Sequence, residues 1–385
     1  MKISSVSVLE YSRQLDGRSW NPTFRWTERR APLVVIEADN GQAGVGEAWC
    51  RQQAIGAILA HLVAVVAPRL PGVELAAESI DCIVDSVRAT GAPSPDASRT
   101  PWLIAAAASA IDIALWDLVS RSRGLPLWRA LGGTSARVRV YASGGLYRDG
   151  EGVDELAAEV RGYVESGFRA VKMKVGALPL LQDLERVRAV RAAVGAEVEL
   201  WVDAVNQSRR ENAIAMATAM ADAGANAIQA PVPFDDIAAM ARINAECLPV
   251  VAGEAEQDMA GFERLLANEA VTLLQPNLGL CGGLSGGTRI AALGRSRSID
   301  NTPQTFGTAV LQAASLHWGA ATGGVHSVEY HRFHDHLAAL LSPGSATVAD
   351  GCVHLDDESG LGIAVPAAGP QADGGRIRCV RRVTL

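Results

Sequence analysis

Apolar and charged residues alternate in the segment 171–176, which reads Val-Lys-Met-Lys-Val-Gly. A period of two residues predicts a β-strand whose two lysines, Lys172 and Lys174, lie on one face. The flanking residues Phe168 and Ala170 are apolar and indicate a buried strand. The pattern has two interpretations: an edge strand with a solvated lysine face, or a buried pair. In a buried pair we expect each ammonium to lower the pKa of the other, which would let one lysine act as a base.

From residue 138 onward, short apolar segments alternate with Ala-rich helical segments at a regular interval. The strand predictions are 138–143, 170–175, 199–203, 227–230, 249–253, 273–276, 300–304 and 324–329. Such a repeat predicts an α/β fold, a (β/α) TIM-type barrel with seven to eight βα units. Because the carboxyl ends of barrel strands meet at one mouth, this prediction places the lysine pair inside a barrel and favours a chemical role for it.

The first part of the chain has a different order, in which strands precede helices. A turn signal at residues 39–41, Asp-Asn-Gly, predicts a hairpin, and a long helix is predicted over residues 102–121. This order predicts an α+β capping domain over residues 1–133, followed by the barrel over residues 134–344. We expect the segment 345–385 to return to the capping domain. Asp112 and Asp117 lie five residues apart on the long helix, and we expect at least one of them to be structural.

Composition excludes several classes of protein. The chain has 385 residues, of which 49% are hydrophobic, and a formal net charge of -7 without a basic run, which argues against nucleic-acid binding. Its six cysteines show no metal-binding spacing and indicate a reducing compartment. The N-terminus lacks the apolar core of a signal peptide, and the apolar stretches are interrupted at His61 and Asp112. We therefore expect a cytoplasmic protein that does not span a membrane.

Polar residues follow the predicted barrel strands. Asp203, Gln229 and Glu254 stand on the third, fourth and fifth strands, and three oxygen ligands on adjacent strands suit Mg²⁺. Lys172 and Lys174 stand on the second strand. A cation beside an ammonium and a base is what enolate chemistry requires, since removal of a proton α to a carboxylate creates a second negative charge.

Several motifs along the whole chain then resemble the enolase superfamily, in its mandelate racemase and muconate lactonizing enzyme branch. They are 39–41 with Gly46-Glu47-Ala48, Ala110 to Asp117, Gly124-Leu125-Pro126, Leu131-Gly132-Gly133, Lys172-Met173-Lys174, Trp201-Val202-Asp203, Ala252-Gly253-Glu254, Gln275-Pro276, Glu329-Tyr330 and Gly360-Leu361-Gly362.

The resemblance implies a role for each matching residue. Lys174 would be the base, and Lys172 would lower its pKa and hold the substrate carboxylate. Asp203 and Glu254 would be two of three Mg²⁺ ligands, and Glu329 would hydrogen-bond to the carboxylate or enolate.

The resemblance also implies a lid from the capping domain, a small carboxylate substrate and a homo-oligomer. The loop over residues 13–30 matches the lid that chooses the substrate. We assign Trp20, Arg25, Trp26 and Trp49 to this lid.

Three departures from the family pattern narrow the chemistry. Gln229 replaces the middle metal-binding glutamate, so the Mg²⁺ site is weakened or absent. Asn277 and Gln304 replace the aspartate and histidine of a catalytic dyad, so a second acid/base is lost. Racemisation by two bases therefore lacks one partner. We expect dehydration of a hydroxy acid or acid sugar by Lys174 alone, with Glu329 or another group as the acid.

Other interpretations remain open. The barrel could be a non-catalytic carboxylate-binding protein, a racemase or epimerase, or an enzyme that forms a Schiff base on a lysine. We interpret His331, His334 and His336 as loop residues and His317 as a core or interface residue. The Gly-rich run over residues 279–287 is interpreted as a flexible loop after the sixth strand.

Overall fold

A computed structural model describes residues 1–90, 100–207, 210–332 and 337–385. The chain begins with three long antiparallel strands, β1 (Ile3–Gln14), β3 (Glu28–Ala38) and β4 (Ala43–Glu47). Two strands from the C-terminus, β16 (Gly369–Pro370) and β17 (Arg376–Thr384), complete this sheet beside β1. Between β1 and β3, a short strand β2 (Ser19–Trp20) leaves the sheet.

Helices cover one face of this capping sheet. They are α1 (Ile55–His61), α2 (Ile80–Arg88), α3 (Thr100–Ser122) and α4 (Leu127–Ala130), with a π-helical turn over Leu62–Val66 and 3₁₀ turns over Gln52–Ala54, Ala67–Arg69 and Ala77–Ser79. Helix α3 approaches β4 closely, since a Cβ at Gly46 would lie 1.9 Å from the carbonyl oxygen of Ala110. The part of α3 over Pro101–Ser122 is long and apolar enough to cross a membrane, but 89% of its apolar window is buried inside the protein. Such burial is typical of a core helix.

Eight parallel strands form the second unit. They are β5 (Arg137–Ser143), β7 (Ala170–Lys174), β8 (Glu199–Asp203), β9 (Ala227–Gln229), β10 (Val250–Ala252), β11 (Leu273–Leu274), β12 (Asp300–Asn301) and β13 (Val328–His331). From β5 to β12 each strand pairs with the next, and β13 pairs with β5. A bridge between Asn301 of β12 and Val325, just before β13, closes the ring. The predicted TIM-type barrel with an α+β capping domain is confirmed.

Helices alternate with the barrel strands. They are α5 (Val153–Glu165), α6 (Leu180–Val194), α7 (Arg210–Asp222), α8 (Ile237–Glu246), α9 (Met259–Ala267), α10 (Gly283–Arg295) and α11 (Ala309–Ala321), and a short strand β6 (Tyr147–Arg148) follows β5. The interpretation of residues 279–287 as a flexible loop is wrong, because α10 begins at Gly283 and the run is largely buried. Gly283 is required there, since its φ is +71° and a Cβ would lie 2.2 Å from the carboxylate of Asp112.

The C-terminal segment divides between the two units. After a 3₁₀ turn (Ala338–Leu340) and α12 (Pro343–Ala346), strands β14 (Val348–Ala349) and β15 (Cys352–His354) form a hairpin that pairs with barrel strand β5. Only β16 and β17 join the capping sheet. The domain boundary at residue 345 stays a prediction.

Two buried aspartates on α3 join the capping domain to its surroundings, so both are structural. Asp112 accepts a hydrogen bond from the amide of Ser285 at the start of α10 (3.2 Å). Asp117 accepts from the amides of Val45 (2.9 Å) and Leu361 (2.8 Å) and from Arg121 (2.9 Å). His317 lies in the core, as predicted, where its Nδ1 accepts from the amide of Trp128 (3.2 Å) and burial lowers its pKa to about 4.

We predict that Asp117→Ala destabilises the fold by about 3 kcal/mol, because two buried amides and a guanidinium lose their acceptor. Asp85→Ala is the matched control, since Asp85 is exposed on α2 and its loss should change stability by less than about 0.5 kcal/mol. Urea unfolding followed by circular dichroism measures both variants. Equal midpoints for the two would show that Asp117 does not tie the capping domain to the rest of the chain.

Candidate active site

The barrel interior is built in layers along each strand. Ala170, Trp201, Ala227 and Val251 pack with Tyr141 in one buried cluster inside the ring. Because side chains two residues apart point to the same side, the residues that follow in each strand also point inward, nearer the carboxyl ends. They are Lys172 and Lys174 on β7, Asp203 on β8 and Gln229 on β9.

Lys172 lies at the centre of this upper layer. Its ammonium donates to Glu329 Oε1 (2.7 Å) and to Gln229 Oε1 (2.8 Å) and lies 3.2 Å from Asp203 Oδ2. Burial alone lowers the pKa of Lys172, but the negative charges of Glu329 and Asp203 outweigh it and raise the pKa well above its ordinary value. The expectation that the paired lysines lower each other's pKa is therefore wrong for Lys172, because carboxylates surround it.

Lys174 lies one layer closer to the mouth. Its ammonium forms an ion pair with Asp203, and 14% of its side chain is exposed, against 1% for Lys172. Asp203 therefore contacts both ammonium groups. Burial raises the pKa of Asp203, and the two lysine charges outweigh that and lower it, which keeps the carboxylate ionised. Of the two lysines, Lys174 is the more exposed and lies nearer the mouth of the barrel.

Gln229 links Lys172 to Glu254. Its Oε1 accepts from Lys172 and from Gln275 Nε2 (3.1 Å), and its Nε2 donates to Glu254 Oε2 (2.9 Å). The orientation of the amide follows from Lys172, because an ammonium can only donate and must face the oxygen. The NH₂ group of Gln229 is thereby turned toward Glu254.

This arrangement does not fit a magnesium ion. A divalent cation needs oxygen lone pairs, but Gln229 presents N–H groups to Glu254, and Asp203 is occupied by two ammonium groups. In the part of the chain that the structure describes, no group of three or more His, Cys, Asp or Glu side chains could hold a metal ion. Glu254 is buried, and burial together with the charge of Asp203 raises its pKa to about 7.

The positions of the family's dyad hold a pair of amides. Asn277 Nδ2 donates to Gln304 Oε1 (2.7 Å), and both side chains are buried. Asn277 Oδ1 also accepts from the amide of Gly279 (3.0 Å). The pair keeps the hydrogen bond between the sixth and seventh strands, but neither amide gains or loses a proton near neutral pH.

Glu329, on the eighth barrel strand, is the second carboxylate that contacts Lys172. Besides Lys172, it accepts from the amide of Thr305 through Oε2 (2.8 Å). Burial raises its pKa, but the charge of Lys172 outweighs this and lowers it to about 2. Glu329 is therefore held as a carboxylate between the Lys172 ammonium and the Thr305 amide.

His331 is not a loop residue, which corrects the sequence-based interpretation. It ends strand β13 and is 8% exposed, with its ring 4.9 Å from that of Phe306. Burial lowers its pKa to about 3, so the imidazole is neutral at pH 7. The spacing of two residues from Glu329 would have placed both on the same side of the strand. His334 and His336 lie outside the described residues.

The residues assigned to the lid lie in three places. Trp20 and Arg25 both contact Asp149, after β6: Trp20 through Nε1 (3.1 Å) and Arg25 through an ion pair (2.5 Å). Trp26 is buried, with its ring 5.8 Å from that of Phe306. Trp49 does not belong to the same segment, since its amide donates to the carbonyl of Gly279 (2.9 Å), beside the sixth strand.

Sequence reasoning missed Arg29, which reaches the seventh-strand loop from β3. Its guanidinium lies 4.0 Å from the ring centroid of Phe306 and donates to the Phe306 carbonyl (3.1 Å). For Gln275, whose amide donates to Gln229, the sequence indicated only the Gln275-Pro276 motif and no role. The pattern of apolar and polar residues in β3 does not distinguish Arg29 as a functional residue. Gln275 did carry a signal, because it stands two residues before Asn277 at the end of the sixth strand.

Comparison with known proteins identifies the family to which this fold belongs. Residues 155–368 match the family model of the enolase C-terminal domain-like fold, and residues 21–132 match that of the mandelate racemase/muconate lactonizing enzyme N-terminal domain. The D-galactarolactone cycloisomerase of Agrobacterium fabrum is 29% identical over 377 residues, covering 95% of this chain and 97% of that protein. The L-talarate/galactarate dehydratase of Salmonella typhimurium is 29% identical, covering 87% of this chain and 80% of that protein.

A solved structure is similar over the same range. The crystal structure of a racemase from Streptomyces coelicolor with bound magnesium has a TM-score of 0.84 and 28% identity, and the match covers 94% of this chain and 97% of that one. The two family models cover both units of the fold. The chain therefore belongs to the enolase superfamily, in its mandelate racemase/muconate lactonizing enzyme branch.

Proposed function

We propose that this chain is a lyase or isomerase that removes the hydrogen α to a carboxylate, with Lys174 as the single base. The observation that carries the proposal is the unequal placement of the two lysines. Lys174 reaches the mouth beside Asp203, whereas Lys172 is buried and bound to Glu329 and Gln229. One lysine is thus placed for proton transfer and the other for holding charge.

The roles follow from these contacts. Lys174, as the free amine, takes the α-proton onto Nζ, and Asp203 holds the ammonium that results. The ammonium of Lys172 holds the substrate carboxylate and lies near the negative charge that develops on its oxygens. Because the residues do not fit a divalent ion, the lysine charges supply this stabilisation.

The substrate class is proposed from the relatives. Those compared above act on galactarolactone and on talarate or galactarate, as their names state. We infer a hydroxy acid or acid sugar for this chain, with dehydration as the reaction. The Cα–H bond breaks as Lys174 Nζ takes the proton, and the same ammonium returns a proton to the β-hydroxyl as its C–O bond breaks, so that the group leaves as water. A lactone belongs in the same screen, because the α-hydrogen of an ester is more acidic than that of a carboxylate and demands less charge stabilisation.

The amide pair restricts the stereochemistry of this reaction. Racemisation by two bases requires a second titratable group on the opposite face of the α-carbon. Asn277 and Gln304 bond to each other and provide none. A one-base lyase or cycloisomerase is therefore favoured over a two-base racemase or epimerase.

A second candidate function is a non-catalytic carboxylate-binding protein. The observation that favours it is the charge balance at Lys172, whose ammonium is already matched by Glu329 and Asp203. A site with no surplus positive charge stabilises an enolate poorly. This candidate predicts that carboxylates bind without exchange of their α-hydrogen into solvent.

We predict that Lys174→Ala abolishes α-hydrogen exchange and turnover while the protein stays folded, because the group that accepts the substrate's α-proton is removed. The assay is nuclear magnetic resonance in deuterated water with a panel of aldonic acids, aldaric acids and their lactones. The chain has three lysines in all, so Lys2→Ala is a matched control that should retain full activity.

Undiminished exchange in Lys174→Ala would rule out Lys174 as the base. Binding of panel compounds to the wild-type protein without any exchange would instead favour the non-catalytic candidate. Circular dichroism of each variant separates loss of chemistry from loss of fold.

A further inference from the structure

We propose that docking of the lid positions the base: the lid segment, residues 15–27, holds Lys174 in place through Tyr147 and Arg186. The proposal rests on the proposed function of Lys174 and assigns Tyr147 and Arg186 as positioning residues. Neither residue touches a reacting atom. The link runs from the lid to the loop after the first barrel strand, and from there to the main chain at the end of β7.

The outer half of the link joins the lid to the barrel. Strand β2 pairs antiparallel with β6, which brings Trp20 opposite Tyr147. The two rings stack with their centroids 4.7 Å apart and an interplanar angle of 23°. Around this stack, the Asp149 carboxylate forms an ion pair with Arg25 (2.5 Å) and accepts a hydrogen bond from the indole N–H of Trp20 (3.1 Å). The main-chain carbonyl of Asp149 accepts a hydrogen bond from Arg18 Nη2 (2.6 Å).

The inner half of the link begins at the other end of Tyr147, which is 4% exposed. Its hydroxyl donates to Asp183 Oδ1 (2.6 Å) and accepts from the amide of Ala177 (3.1 Å). The second oxygen of Asp183 accepts from the amide of Gly176 (2.8 Å), where the backbone has a φ of +92°. Tyr147 and Asp183 thereby bind two consecutive amides of the turn that follows Lys174.

Arg186 connects Tyr147 to Lys174 directly. Its guanidinium lies 3.9 Å from the ring centroid of Tyr147, on which it can form a cation–π contact. Nη1 donates to the carbonyl of Lys174 (2.7 Å) and lies 3.2 Å from Asp183, and Nη2 donates to the carbonyl of Gly145 (3.2 Å). The carbonyl of Gly145 in turn accepts from the amide of Lys174 (3.1 Å).

The contacts in the outer half of the link are weaker than those in the inner half. The lid can therefore undock while the inner contacts remain, and they respond to its release. The Arg25 and Asp149 side chains are 45% and 54% exposed, so their ion pair contributes little and can break at low cost. Tyr147, Asp183 and Arg186 are buried, and their contacts move as a unit. Release of Trp20 uncovers one face of the Tyr147 ring and loosens the backbone of Lys174, so the base is held firmly only while the lid is docked.

The test is amide hydrogen–deuterium exchange of the full chain, read by mass spectrometry in the peptide that covers residues 174–177. Trp20→Ala is the deciding variant, because Trp20 touches none of these amides. We expect exchange at residues 174–177 to become about 2- to 10-fold faster than in the wild type, since the lost stack is coupled to that turn. Tyr147→Phe, which removes the acceptor of the Ala177 amide, should give a similar change.

Tyr11→Phe is the matched control, because the Tyr11 hydroxyl also bonds to an aspartate, Asp373, but in the capping sheet. It should leave exchange at residues 174–177 unchanged. Faster exchange of the lid in Trp20→Ala, with unchanged exchange at residues 174–177, would overturn the link. This readout needs no substrate, so it stays decisive if Lys174 proves not to be a base.

Discussion

The ammonium of Lys172 is the interaction on which the site depends. It is a buried charge that contacts side chains from the third, fourth and eighth barrel strands, Asp203, Gln229 and Glu329. A buried charge is tolerated only when its partners surround it, and removal of one partner from such a pair costs about 3–5 kcal/mol. Each of these side chains therefore has its orientation set by the lysine. The alternation of apolar and charged residues along β7 places the side chain of Lys172 inside the barrel.

From that constraint follows the difference between this chain and the family pattern. A glutamate at position 229 would place a carboxylate there, which could coordinate a divalent cation and also interact with the Lys172 ammonium. The amide of Gln229 brings an oxygen for Lys172 and N–H groups for Glu254, so hydrogen bonds link the three side chains in place of a shared cation. Asn277 and Gln304, after the sixth and seventh strands, likewise have a hydrogen bond in place of charged groups. The site keeps its shape and loses charge and proton-transfer capacity.

The fold and the positions of the site residues could be predicted from the sequence, because the alternation at Lys172 and Lys174 and the regular βα spacing act locally. The orientations could not, since Gln229 is set by contacts with Lys172 and Gln275, which come from other strands. His331 was misread as a loop residue because β13 extends past the predicted end of its strand. The Gly-rich run at 279–287 was misread because its close packing against Asp112 involves a distant part of the chain. The oligomeric state and the cytoplasmic location stay predictions.

The most direct test of this account is a calorimetric titration of Mg²⁺ into the wild-type protein and into Gln229→Glu. Because Lys172 turns the Gln229 amide away from a cation, we predict no heat of binding for the wild type through the low millimolar range. Gln229→Glu, with three carboxylates on adjacent strands, should bind Mg²⁺. Micromolar binding by the wild type would contradict the account, since it would mean that the lysine does not control the orientation of the amide.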